Sequence, residues 1–177
     1  MGIKNSNLKK PRILILSYDD YYTNKLYSNI SQKELISEID PSGFIQDDVI
    51  YSKLEFSAWY LSTKNRHLWK HHYIGSQGVI MAFAFTNHNI DSSIINEALS
   101  AIFDVLLKEI PFLVLLDSDN KYLQSEFIVE LNKMKKLEVD SNHHIDKDNI
   151  FVDSINFNKG KIDIQRGLNW LCDEMFK

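Results

Sequence analysis

Arg12-Ile13-Leu14-Ile15-Leu16-Ser17-Tyr18-Asp19-Asp20-Tyr21-Tyr22-Thr23-Asn24-Lys25 is the stretch on which the reading of this chain turns. It opens with a short apolar run rich in β-formers, the composition of a buried strand. Ser17-Tyr18-Asp19-Asp20 is a polar turn. From Thr23 to Ile36, apolar residues at Leu26, Tyr27, Ile30, Leu35 and Ile36 predict a helix. Strand, turn and helix in that order are the first unit of an α/β sheet, whose ligands sit at the carboxyl ends of the strands. The turn after Leu16 is therefore the first place to look for a site.

The rest of the chain continues the alternation. Pro41-Ser42-Gly43 marks a turn, and Phe44–Tyr51 and Lys53–Leu61 alternate as a hairpin around Ser52-Lys53. Gly78–Phe85, Phe112–Leu116 and Ile150–Val152 read as further strands. Ile94–Ile110, Ser125–Leu137 and Ile162–Phe176 read as helices. The expected fold is one α/β domain over 12–177, a six-stranded, mostly parallel sheet with about five helices. Residues 1–11 form a separate N-terminal segment.

Composition narrows the function. The chain has 177 residues, 44% hydrophobic and 25% charged, which excludes wholesale disorder. A formal net charge of −4 provides no global field for nucleic acid. No apolar run approaches the ~18 residues of a membrane span, and there is no signal-peptide core. Cys172 stands alone, so no disulfide forms within the chain, and a reducing compartment is expected. Six glycines are about half of what average usage of ~7% supplies, which speaks against a glycine-rich phosphate loop. Met1-Gly2-Ile3-Lys4-Asn5-Ser6 satisfies the N-myristoylation pattern, with Gly2 as acceptor. Lys4, Lys9, Lys10 and Arg12 supply the basic patch that a single acyl chain needs for stable membrane attachment.

Leu54-Glu55-Phe56-Ser57-Ala58-Trp59, Leu68-Trp69-Lys70-His71-His72-Tyr73, Ser76-Gln77-Gly78 and Arg166-Gly167-Leu168-Asn169-Trp170-Leu171 together resemble the ADP-ribosylation factor (Arf) family of small GTPases. All three tryptophans fall on family positions, as do Arg12-Ile13-Leu14, Gly43-Phe44 and Gly2. The resemblance implies a small-GTPase fold and a role in membrane traffic. It also implies a GTP or GDP site with Mg²⁺ built around Asp19, Asp20, Thr23, Asn24, Lys25 and Asn120.

Those positions have lost the chemistry. A phosphate loop needs glycines for close backbone approach, a lysine for the phosphates and a hydroxyl for Mg²⁺. The family's Gly-Leu-Asp-x-x-Gly-Lys-Thr is Ser17 to Asn24 here, and only Asp19 survives. Thr23 replaces the lysine, and Lys25 comes two residues late. Pro41 replaces the Mg²⁺-binding threonine. Tyr60 replaces the metal-side aspartate after Trp59, Ser62 or Thr63 the γ-phosphate glycine, and Lys64 stands nearest the water-orienting glutamine. Asp117-Ser118-Asp119-Asn120 replaces the guanine-reading Asn-Lys-x-Asp, and the late loop near Ser154-Ile155-Asn156 is not recognisable. The reading is a pseudoGTPase with no catalytic residues and no expected cofactor. Asp19 or Asp20 stands in for phosphate at the helix N-terminus, and the tyrosines fill the volume. The alternative is a divergent switch that still takes GTP or GDP with Mg²⁺ through other contacts.

The resemblance further implies a partner surface around Phe44, Trp59 and His72, the last in place of the family's tyrosine. Expected partners are effector, coat or tether proteins, and a membrane through the N-terminus. The protein is expected to be a cytoplasmic monomer, peripheral at the cytosolic face of endomembranes. His67, His71 and His72 lack a nearby cysteine and the glutamate of His-Glu-x-x-His, and His143-His144 lies in a polar loop. Neither group is expected to hold a metal. Cys172 reads as core, and Asp47-Asp48 and Lys133-Lys135-Lys136 as solvated charge.

Overall fold

The apolar run after Arg12 becomes β1 (Arg12–Ser17), whose residues 13–17 are all buried. A strand covered on both faces must be apolar throughout, which explains the absence of alternation. A computed structural model describes residues 10–17, 20–33, 44–51, 54–61, 68–84, 100, 110–117, 125–133, 149–157 and 164–177. The chain continues through α1 (Asp20–Ser31), β2 (Phe44–Tyr51), β3 (Leu54–Leu61), α2 (Trp69–Tyr73) and β4 (Gly78–Ala84). Next come β5 (Phe112–Asp117), α3 (125–133), β6 (Ile150–Ile155) and α4 (Gln165–Met175). Four helices are thus described. The helix expected over 94–110 lies outside the described residues, apart from helical Ser100 and from Ile110.

The sheet has six strands in the order β2-β3-β1-β4-β5-β6. The β2–β3 pair is antiparallel, with Phe44 opposite Leu61 and Tyr51 opposite Leu54. Every other pairing is parallel, with Leu14 between Trp59 and Val79. Beyond the expected hairpin the chain crosses over each time, so β1 lies at the centre. The two faces of the sheet carry separate cores. One joins Leu14, Leu16, Trp69 and Tyr73, and the other joins Ile13, Ile15, Tyr22 and Leu26.

Two elements differ from the sequence expectation. The first helix runs from Asp20 to Ser31, not from Thr23 to Ile36. It starts within three residues of β1 and stops at Gln32, whose φ of 57° is left-handed. The last strand runs to Ile155, not Val152, because β5 pairs with it residue by residue as far as Asp117 opposite Ile155. Ser154 and Ile155 are therefore strand, not loop.

Two glycines set distances that matter for the site. A Cβ at Gly167 would lie 2.8 Å from Leu113 Cδ1, so glycine there lets α4 sit directly on the sheet. Gly75 has φ +87°, and a Cβ there would lie 2.8 Å from Arg12 Nη2. It makes the turn from α2 into β4 while leaving room for the arginine.

Candidate functional site

Buried residues of α1 crowd the carboxyl end of β1. A phosphate loop places four residues between its two glycines and starts its helix at the second. Here only two residues separate Ser17 from Asp20, where α1 begins. Backbone that would cradle a phosphate is already helical. Tyr22, in the second glycine's place, is 8% exposed, and its ring meets Phe157 edge-on at 4.8 Å. Thr23, in the lysine's place, is buried and hydrogen-bonded through its hydroxyl to Ser17 Oγ. The residues replacing the loop's first glycine and its lysine thus bond to each other.

The remaining polar groups point elsewhere. Tyr21 is 48% exposed, so only one of the two tyrosines fills the core. The Lys25 ammonium lies over the Tyr21 ring at 5.6 Å. Asn24 is exposed, and its carbonyl accepts the Ser28 hydroxyl at 3.0 Å. Asp117 Oδ1 accepts the Phe157 backbone N–H at 3.1 Å, which ties the end of β5 to the chain leaving β6. Tyr60, in the metal-side position, is fully buried against Tyr27 of α1 at 5.1 Å. Burial pushes its phenol well above the ordinary tyrosine range. Asp19, Asn120, Pro41, Lys64 and Gly2 lie outside the described residues, and only the backbone of Asp20 is described.

A second cluster forms where the hairpin meets α2. Trp69 and Tyr73, four residues apart, turn into the core at 2% and 3% exposure. That orientation leaves His72 beside the sheet. Its ring stacks on Phe44 at 5.4 Å, and Phe44 meets Trp59 edge-on at 5.2 Å. His72 and Trp59 are 5.9 Å apart. All three are half-buried, so the structure brings the expected trio into one patch. The Arg12 guanidinium lies 4.3 Å over the Trp59 ring and donates to the Ile74 carbonyl. Burial lowers the His72 pKa, and the nearby Arg12 and His71 lower it further. Asp47 and Asp48 are not merely solvated: Lys33 binds the first at 2.6 Å and Lys10 the second at 2.6 Å.

No group of three or more His, Cys, Asp or Glu among the described residues could hold a metal. His71 is exposed, while His67 and His143-His144 lie outside the described residues. Burial pushes the Cys172 thiol up to about 11, the behaviour of a packing residue rather than a nucleophile. The sequence reading did not single out Phe157 or the Arg12–Trp59 stack. Phe157 lies two residues past Ile155, so it shares that residue's inward side, but the strand was read too short to show it.

The model of the ADP-ribosylation factor family matches residues 2–175. ADP-ribosylation factor K of Dictyostelium discoideum is 26% identical over 129 residues, 70% of this chain and 69% of that protein. ADP-ribosylation factor J of the same organism is 26% identical over 134 residues, 72% of this chain and 71% of that protein. The Arl6 (BBS3) small GTPase of Trypanosoma brucei, solved with the nucleotide analogue GppNp, shares the fold at a TM-score of 0.67. It is 17% identical, with 95% of this chain and 98% of that one covered. The sheet order, the aromatic landmarks and a family match over almost the full length agree: this chain belongs to the ADP-ribosylation factor family of small GTPases.

Proposed function

We propose that this Arf-family chain is a pseudoGTPase that works as an adaptor, binding partners through the Phe44–Trp59–His72 surface. One observation carries the reading. Tyr22 and Thr23, at the glycine and lysine of the phosphate loop, are built into the core. The described residues do not fit a guanine nucleotide with its Mg²⁺. A phenol ring and a hydroxyl pair stand where backbone N–H groups and an ammonium would be needed. Phosphoryl transfer depends on positioning and electrostatics, and neither is supplied by these groups.

The partner surface has the composition of an interface hot spot, half-buried aromatics beside an arginine. Family membership supports a place in membrane traffic. Gly2, once acylated, and the basic N-terminal segment would hold the monomer at the cytosolic face of endomembranes. Protein purified from cells and denatured is expected to release no stoichiometric GDP or GTP on chromatography. Stoichiometric release overturns the reading and restores the divergent switch. Trp59→Ala is expected to keep the fold and weaken partner binding at least tenfold, measured against a partner first captured on the wild-type protein. Unchanged affinity removes the surface from the proposal.

A further inference from the structure

His72 is the member of the aromatic patch whose charge can change near neutral pH. Its ring stacks face to face on Phe44, with planes 18° apart, and sits edge-on to Trp59. The same indole carries the Arg12 guanidinium on its face at 4.3 Å. A protonated His72 would therefore share Trp59 with a second cation. Among the described residues, Arg12 of β1 and His71 of α2 are the charged or titratable groups that bear on it. The hairpin meets it with Phe44 and Trp59, which carry no charge. The carboxylates of that hairpin are held by lysines, Asp48 and Glu55 by Lys10 at 2.6 and 2.7 Å and Asp47 by Lys33 at 2.6 Å. Among the described residues no carboxylate offsets the new charge.

We propose that protonation of His72 gates this patch: neutral, the imidazole stacks on Phe44 and completes the surface a partner meets, and charged, it leaves the stack and breaks that surface up. The gate supplies the regulation that a lost nucleotide cycle no longer could, and in that sense it rests on the adaptor reading. Partner engagement then holds at neutral pH and falls on acidification. The family's tyrosine at this position has no such transition, so the device belongs to this chain's substitution.

NMR of the full chain tests the gate without a partner. The His72 Cε1–H and Trp59 indole N–H signals are followed from pH 8 to pH 5. The expected result is a His72 midpoint below 6.5, with the Trp59 signal moving on the same midpoint. His72→Tyr should abolish the Trp59 response. His71→Gln should keep it and raise the midpoint, because one repulsive neighbour is gone. A Trp59 signal that stays still while His72 titrates overturns the proposal. So does a midpoint at or above 6.5, or a response that survives His72→Tyr. If His72→Tyr does not fold, the wild-type coupling and the His71→Gln arm still decide. Nucleotide content and Trp59→Ala binding do not enter this measurement, so the gate and the adaptor reading can fail separately.

Discussion

Tyr60 shows at a single residue what the proposed loss of a site would cost and how it could be read. The family keeps a metal-side aspartate at this position. Here the side chain is fully buried under α1, and its hydroxyl has no hydrogen-bond partner among the described residues. A buried hydroxyl left unpaired costs about 1–3 kcal/mol. Tyr60→Phe removes the cost and keeps the ring packed on Tyr27. We expect it to raise unfolding stability by about 1 kcal/mol in urea titrations. A loss of stability would mean the hydroxyl has a partner. Trp59, one residue earlier, faces the other way and packs beside Phe44. Two neighbours on one strand thus have opposite fates because successive side chains alternate across a sheet.

At the scale of elements, the junction of β1 and α1 departs from the geometry of a phosphate loop. The helix begins at Asp20, so its first turn occupies backbone that a phosphate loop would leave open. The hydroxyls of Ser17 and Thr23 fasten the strand end to that turn in a buried setting. A double-mutant cycle with Ser17→Ala and Thr23→Val is expected to give a coupling of about 1 kcal/mol, the net worth of a buried hydrogen bond. Additive effects would show that the pair does not hold the junction. The hairpin and α2 bring three sequence landmarks of the family into one patch, Phe44, Trp59 and, with imidazole in place of phenol, His72.

For the whole molecule, the proposed pseudoGTPase reading predicts a stability that does not depend on a ligand. A protein that binds nucleotide and Mg²⁺ only when folded gains stability by mass action and loses it when they are removed. In this chain Tyr22, Phe157 and Thr23 fill the space from within and are part of the core. Treatment with a chelator and a phosphatase is expected to leave Tm unchanged. A fall of several degrees would point to a bound nucleotide. His72 adds a pH dependence with a definite sign. Its folded pKa lies below the ordinary 6.5. Its stabilising contribution is therefore full above pH 6.5 and is lost as pH falls through the lowered value.

The sequence alone carried the architecture. A buried run, a turn and a helix, repeated, determine a parallel sheet, and the tryptophans placed it in a family. The shortage of glycine raised doubt about a phosphate loop, because no other residue lets backbone approach a phosphate so closely. The clustering of Phe44, Trp59 and His72 was legible because all three sit on recognisable landmarks. What the sequence left open was how the residues in the phosphate-loop positions pack. Tyr21 and Tyr22 are identical neighbours, yet one is 48% exposed and the other 8%. Successive residues on a helix point about 100° apart, and which one faces inward depends on the phase at which the helix docks on the sheet. That phase, like the meeting of Tyr22 with Phe157 and of Arg12 with Trp59, is set by packing between segments distant in the chain. Local pattern has no access to it, so the tertiary structure alone decided it.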